Sequence, residues 1–323
     1  MSKIEALNLI GNTPMVHLKT LDPKPGVEIH IKLESMNPTG SIKDRIIKYM
    51  VQKGLDAGKI NENTTLVEGS SGNTAASVAM VASTMGLKSI LFVPEKCSEE
   101  KIAIIKSYGA EVIVKSASED YGVAAGEKAS ESEDYYYIDQ FNSMLNPEAH
   151  YMTLGKEIVD DMDGKIDVFI AAGSTGGTIS GVAKRLKEND PNTKIILADP
   201  EGSINKPYFD GKEDYMSYKK SFQVEGAGKN KIVKTMNFDI LDEAIHFNDE
   251  NAIGMVQRLA REEGLMVGGS AGGNVWAALE VAKRMEAPAK IVTVIPDSGF
   301  KYLSKMFNPA WLKEKGFGHL ITD

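Results

Sequence analysis

The stretch N-P-T-G-S-I-K-D-R, residues Asn37–Arg45, decides the fold. Upstream stands H-I-K-L-E, a short strand pattern. Downstream, Ile42, Ile46, Ile47 and Met50 recur at helical spacing, so a helix follows. Pro38 and Gly40 punctuate the turn, and Ser41 can cap the new helix. Lys43 then lies in the first helical turn, where the peptide dipole presents positive charge. An ammonium is disfavoured there and a neutral amine or imine is favoured. A lone lysine beside Asp44 is ordinarily a solvated surface charge. A role for Lys43 therefore depends on what else the chain brings to it.

Outward from this stretch, strand-like apolar runs alternate with helical patterns. Residues 6–19 read as a turn and a short strand. Strands are predicted at Thr65–Val67, Ser89–Val93, Glu111–Val114 and Tyr136–Asp139. Helices are predicted at Thr74–Met85 and Ser98–Tyr108, stopped by Gly86 and Gly109. A second series follows, with helices at Met152–Met162, Gly177–Glu188, Asp249–Glu263 and Ala271–Met285. Its strands are Val168–Ala172, Lys194–Asp199 and Lys290–Ile295, the last running into P-D-S-G. Residues 201–235 read as a polar, irregular excursion, and Tyr302–Lys315 as a closing aromatic-rich helix. Alternation of this kind implies parallel β/α units. The expected architecture is α/β with two lobes, each an open, mostly parallel sheet with helices on both faces, and a cleft between them. Residues 142–150 read as a crossover between the lobes.

At 323 residues the chain is long for one core, which also favours two lobes. A net charge of −8 gives no basic footprint for nucleic acid. No apolar run is long enough to span a bilayer. The N-terminal M-S-K-I-E-A-L-N lacks the apolar core of a signal peptide, so a cytoplasmic protein is expected. One cysteine, Cys97, leaves no intrachain disulfide or cysteine metal cluster, and no metal site is predicted. Cys97 is read as an incidental thiol.

Three further turns carry chemistry. E-G-S-S-G-N-T-A (Glu68–Ala75) follows a strand and opens a helix. Small residues let a ligand approach the backbone, N–H groups at the helix start favour a carboxylate or phosphate, and Ser70, Ser71, Asn73 and Thr74 add donors. Ordinary strand-to-helix turns use the same residue types. A-G-S-T-G-G-T-I-S-G (Ala172–Gly181) occupies a similar position. Gly176 and Gly177 free the backbone, and Ser174, Thr175 and Thr178 supply hydroxyls. No G-K-[ST] follows, and the spacing is not G-x-G-x-x-G, so a phosphate monoester fits better than a pyrophosphate. V-G-G-S-A-G-G (Val267–Gly273) sets Ser270 in a glycine-walled turn, where it serves as an N-cap or presents one hydroxyl to a ligand. One lysine, two anion-ready turns and one hydroxyl match a cofactor with an aldehyde, a phosphate and a ring nitrogen. Pyridoxal 5'-phosphate has all three.

With these motifs in this order, the chain resembles the fold type II (tryptophan synthase β-like) pyridoxal-phosphate enzymes of the cysteine synthase and cystathionine β-synthase family. The likeness runs from I-G-N-T-P at Ile10–Pro14 to the end. It implies that Lys43 forms the Schiff base and that Ser70, Ser71, Gly72, Asn73 and Thr74 bind the substrate carboxylate. Asn73 would also meet the cofactor's 3-oxygen. D-Q-F-N at Asp139–Asn142, before N-P-x-A-H, makes Gln140 a second carboxylate contact. Ser174, Thr175, Gly176, Gly177 and Thr178 would hold the phosphate, and Ser270 would face the pyridine nitrogen. The larger, cofactor-binding domain would comprise 1–38 and 148–323, and the smaller, mobile domain 39–147.

Two departures stand out. The family usually has Pro-Thr where Gly69–Ser70 stand, and the change is expected to widen or loosen the site. It usually has Gly where Ser174 stands. D-P-E-G-S (Asp199–Ser203), V-E-G-A-G (Val224–Gly228) and W-L-x-x-K-G-F (Trp311–Phe317) resemble cystathionine β-synthases more closely. Neither their regulatory module nor their haem-binding extension is expected here. Lys229 stands in the irregular 201–235 excursion, near where the resemblance suggests aromatic character. Of two readings, a charge facing an acidic second substrate or a solvated surface charge, the surface is the expectation.

The implied activity is β-replacement on L-serine or an O-activated serine through an aminoacrylate. The nucleophile would be a thiol, sulfide or homocysteine, and the product L-cysteine or L-cystathionine. The resemblance also implies a homodimer. Elimination or exchange on L-cysteine with release of hydrogen sulfide would use the same site. Serine or threonine dehydratases and racemases share the lysine, but typically carry His after Gly-Asn and four glycines at the phosphate. A catalytically silent scaffold would have no need of Lys43, Asn73 and Ser270.

Overall fold

The computed structural model describes residues 6–21 and 24–321. Five of its ten strands are β1 (Met15–His17) and β2 (Val27–Lys32), before the lysine stretch, and β3 (Thr65–Gly69), β4 (Lys88–Pro94) and β5 (Glu111–Lys115), after it. The others are β6 (Tyr135–Tyr137), β7 (Val168–Ala172), β8 (Lys194–Pro200), β9 (Glu243–Phe247) and β10 (Ala289–Val294). They form two sheets, a six-stranded one in the order β1-β2-β10-β7-β8-β9 and a four-stranded one in the order β5-β4-β3-β6. All pairs are parallel except β1 with β2. Buried parallel strands need apolar residues on both faces, and β3 is buried at every position.

Each sheet is covered on both faces. One core of the larger sheet gathers Ile29, Ile170, Ile196 and Phe247 under helices Asp249–Glu262 and Gly269–Arg284. The opposite face packs Phe169, Ile195 and Leu197 against helices Leu154–Asp161 and Gly177–Asn189. In the smaller sheet, Leu66, Leu91 and Val93 meet helices Lys43–Asp56, Asn73–Met85 and Glu99–Ser107. Val67, Ile90 and Phe92 pack with Ala125 of helix Tyr121–Ala129 on the other face. This is the expected two-sheet α/β architecture. No helix among the described residues is long and apolar enough to cross a membrane.

Several expected elements change. Helix Met152–Met162 begins only at Leu154, because Thr153 leaves helical geometry (φ −116°, ψ −82°) and ends a separate helix, Leu145–Met152. The closing helix Tyr302–Lys315 is a 3₁₀ turn at Gly299–Tyr302 and a short helix at Pro309–Glu314. Pro309 lacks the N–H that a continuous helix needs, while Asn308 accepts from Ala310 N at 2.9 Å and starts a new one. Strand β9 and helix Tyr121–Ala129 were not expected. The helix carries two glycines and a short apolar face, a weak periodic signal.

Gly69 makes room for a neighbouring helix. A Cβ there would stand 2.6 Å from Tyr121 O and 2.7 Å from Gly122 Cα, so the missing side chain is what admits the start of helix Tyr121–Ala129. Gly181 plays the same part between helices, where a Cβ would meet Pro147 O at 2.1 Å. For Gly181→Ala the helix-propensity gain is at most about 1 kcal/mol. Overpacking costs about 1–3 kcal/mol, and more against backbone. Net destabilisation is expected, as a lower denaturant midpoint at unchanged slope.

Candidate active site

Four turns at the carboxyl ends of parallel strands converge on one cavity, where open α/β sheets bind ligands. They follow β3 (Ser70–Thr74), β6 (Gln140–Phe141), β7 (Ser174–Thr175) and β10, the last reaching the cavity with Phe300–Lys305 while Asp297 is buried. The cavity is about 790 Å³, within the range of small-molecule sites. Lys43, Ser70, Ser71, Gly72, Asn73, Thr74, Gln140, Ser174 and Thr175 line it.

Lys43 is the first residue of its helix, and its N–H donates to Ser41 Oγ at 3.0 Å. The turn is tied to the end of β10. Ile42 N donates to Pro296 O at 2.8 Å, and Ser298 N donates to Gly40 O at 3.1 Å. Desolvation brings the Lys43 ammonium down to about 8, against the opposing pull of the Asp297 carboxylate. The amine gives up its proton far more easily than an ordinary lysine, as a nucleophile or base requires, though at neutral pH the charged form still predominates.

The two residues after Lys43 face different neighbours. Asp44 accepts from Thr39 N at 2.8 Å, from Thr39 Oγ1 at 2.6 Å and from Ser77 of helix Asn73–Met85. Arg45 makes paired bonds to Glu34 (2.6 and 2.8 Å) and to Glu157 (2.7 Å each). Burial alone would raise the Glu157 carboxyl, but Arg45, Asn12 N and Lys32 hold it down to about 2.

Thr74 Oγ1 donates to Gln140 Oε1 at 2.7 Å, which joins the two expected carboxylate contacts and leaves the Gln140 amide N–H groups as donors. Asn73 donates to Asp297 Oδ2 at 2.7 Å and accepts from Lys301 Nζ at 2.6 Å. Tyr302 OH donates to the same Asp297 oxygen at 2.6 Å, while the buried Oδ1 has no partner. Asp297, Lys301 and Tyr302 were missed. The signal was P-D-S-G at the end of a buried strand.

In the Ser174–Thr178 turn, Gly176 has φ +77° and caps helix Gly177–Asn189. A Cβ on Gly176 would meet Met236 at 2.5 Å, and one on Gly177 would meet Asn146 Oδ1 at 2.0 Å. Gly176, Gly177 and Thr178 stand behind the lining Thr175, and Thr178 Oγ1 lies 3.2 Å from Nε2 of buried His150. Burial, then Lys43 and Arg45, hold that imidazole well below its ordinary range, so it is neutral. Ser270, the second residue of its helix, is buried beside Gly226, which lines the cavity. The later glycines of that motif serve packing: Cβ atoms on Gly272 and Gly273 would strike Ala252 O and the Phe247 ring.

A family model described as pyridoxal-phosphate dependent enzyme matches residues 6–297. The chain belongs to this family. It is 40% identical over 301 residues, 92% of this chain and 95% of the relative, to an O-acetylserine dependent cystathionine β-synthase of Bacillus subtilis. It is 37% identical over 299 residues, 92% of this chain and 94% of the relative, to a cysteine synthase of Staphylococcus aureus. A mouse cystathionine β-synthase is 35% identical over 322 residues, 97% of this chain but 57% of the longer relative. Among solved structures, an O-acetylserine dependent cystathionine β-synthase from Helicobacter pylori superposes with TM-score 0.86 at 36% identity, covering 94% of this chain and 98% of that one. The chain is thus a pyridoxal-phosphate-dependent β-replacement enzyme of the cysteine synthase and cystathionine β-synthase family.

The donor set of this pyridoxal-phosphate enzyme fits its cofactor. A desolvated lysine shares one cavity with a helix-start turn whose glycines leave no side chain over the backbone N–H groups. Cys97 is peripheral to this chemistry. Its thiol rests on Ser71 O at 3.5 Å, and burial raises it above the ordinary thiol range. Lys229 is not a surface charge. It lines the cavity, with Nζ 3.7 Å from the Phe141 ring centroid.

Glu68, buried beneath the Ser70–Thr74 turn, accepts from Gly69 N at 2.9 Å, yet desolvation lifts its carboxyl to about 8. Its folded pKa is raised above the unfolded 4.5, so its stabilising contribution is complete below pH 4.5 and is lost as pH rises through 8. Glu68→Gln is expected to flatten the fall in stability between these two pH values, measured by urea unfolding at pH 5 and pH 8.

Proposed function

We propose that this enzyme uses O-acetyl-L-serine or a similarly O-activated serine as first substrate and a thiol as second. The products would be L-cysteine or L-cystathionine. The observation that carries the reading is Lys43, a desolvated amine at a helix start in the same cavity as Ser70–Thr74, Gln140 and Ser174–Thr175. The two O-acetylserine dependent relatives support the choice of leaving group.

In this reading the turn Ser174–Thr178 holds the cofactor phosphate, Lys43 anchors its aldehyde carbon and Ser270 faces its ring nitrogen. Bound there, pyridoxal phosphate supplies a carbonyl that condenses with amines and a ring that withdraws electrons from the α-carbon. Everything else falls to the chain. Ser70, Ser71, Gly72, Asn73, Thr74 and Gln140 receive the substrate carboxylate, which fixes the amino acid for reaction. The Lys43 amine takes the α-proton and later returns it, and a base of near-neutral pKa suits both transfers. The neutral His150 behind Thr178 adds no charge to the phosphate side. Residues 39–147 act as the smaller lobe, closing the Ser70–Thr74 turn over the substrate and keeping water from the reacting carbons. Asp297 and Lys301, on the opposite lobe, hold the Asn73 side chain and give that closure a latch.

Stopped-flow absorbance of the holoenzyme is expected to show a new band within the dead time or shortly after mixing with O-acetyl-L-serine, and a weaker or slower one with L-serine, O-phospho-L-serine or L-cysteine. Lys43→Ala is expected to reduce turnover by about 10²–10⁴-fold or more, the range of general base catalysis. A Lys43→Ala enzyme of undiminished rate, or a purified protein that takes up no pyridoxal phosphate, would sink the reading.

A further inference from the structure

The cavity holds five lysines, and four of them are already committed. Lys101 and Lys305 both bind Glu225, Lys301 donates to Asn73, and Lys43 is the reactive amine. The fifth, Lys229, has no carboxylate within ion-pairing distance among the described residues. Its ammonium rests on the Phe141 ring. Its backbone is held firmly. Lys229 N donates to Ser203 Oγ at 3.0 Å, and Lys229 O accepts from Ile204 N at 2.9 Å. The preceding Gly228 is wedged at φ +67°, where a Cβ would stand 2.5 Å from Pro200 Cγ. A cation whose backbone is fixed this firmly in the cavity, with no carboxylate in contact with it, is arranged to meet an anion from outside the protein.

We propose that Lys229 binds the carboxylate of the second substrate, which makes the enzyme selective for carboxylate-bearing thiols over uncharged thiols. The inference rests on the β-replacement reading and deepens it. The first substrate's carboxylate is taken by the Ser70–Thr74 turn, so a second carboxylate needs a separate cation. Lys229 lies beyond that turn, on the wall formed by residues 225–229. Desolvation, with Lys231 and Lys43 adding repulsion and Asp120 opposing, lowers Lys229 to about 8, so it is still charged at neutral pH. Phe141 beneath it keeps the ammonium partly dehydrated, which strengthens its attraction for an arriving carboxylate.

The test compares 3-mercaptopropionate with 2-mercaptoethanol as second substrate of the holoenzyme at pH 7, with O-acetyl-L-serine saturating. The wild type is expected to favour the anionic thiol in kcat/KM. Lys229→Met is expected to lower that preference at least tenfold, mainly through KM, and Lys229→Arg to restore most of it. Absence of a preference in the wild type, or an equal loss for both thiols in Lys229→Met, would overturn the proposal. So would a tenfold loss of pyridoxal phosphate affinity, which would make Lys229 a phosphate contact. If the wild type consumed neither thiol, the β-replacement reading would fail by itself. Calorimetry of 3-mercaptopropionate binding would then decide Lys229: weaker binding to Lys229→Met supports the site, and equal binding removes it.

Discussion

A buried guanidinium holds the active-site lysine in place. Arg45 is 3% exposed, so no solvent shell can stabilise its charge. Glu34 and Glu157 must supply that stabilisation, and each does so through a paired contact. Removing one partner of such a buried pair typically costs about 3–5 kcal/mol. Lys32, also buried, joins the same group through Glu157 at 3.1 Å and Thr13 O at 2.7 Å. The helix that carries Lys43 is thereby pinned to the 3₁₀ turn Glu34–Met36, just after β2, and to helix Leu154–Asp161. One residue earlier, Asp44 pins it to helix Asn73–Met85 of the other sheet. The lysine stands at the one point where both attachments meet.

The position of the cavity follows from strand direction. Parallel strands all end on the same side, and the turn after each must reverse direction with its backbone groups unpaired. Glycine, serine and threonine dominate these turns because they allow tight geometry and satisfy loose N–H groups. In this molecule the same turns face each other across two sheets. Backbone donors that would otherwise need water become a ligand-shaped set. The price is paid beneath them, where burial raises the carboxyls of Glu68 and Asp297 above their ordinary range.

Much of this was legible in the chain. Lys43, Asn73 and the Ser174–Thr178 turn could be picked out because their neighbours are short-range signals: a strand before, a helix after, small residues between. Gln140 came only from the family resemblance. Gly69 was visible but its meaning was not. What fills the space left by its missing side chain is Tyr121, more than fifty positions on, in a helix with little periodicity of its own. Lys229 was misread because a lysine in a polar, irregular segment has no local feature that distinguishes burial from exposure. Asp297 was hidden in an ordinary-looking strand end, and its partners Asn73 and Tyr302 are separated by 229 residues of chain.

By itself the sequence determined the alternation of strand and helix, three turns that carry donors, and the lysine stretch that precedes them. Those are properties of adjacent residues, set by propensity, capping and glycine geometry. Tertiary structure alone decided which charges lost their water. That loss lowers Lys43, neutralises His150, raises Glu68 and leaves Lys229 a cation resting on an aromatic ring. Desolvation depends on every atom packed around a group, and most of those atoms come from distant parts of the chain.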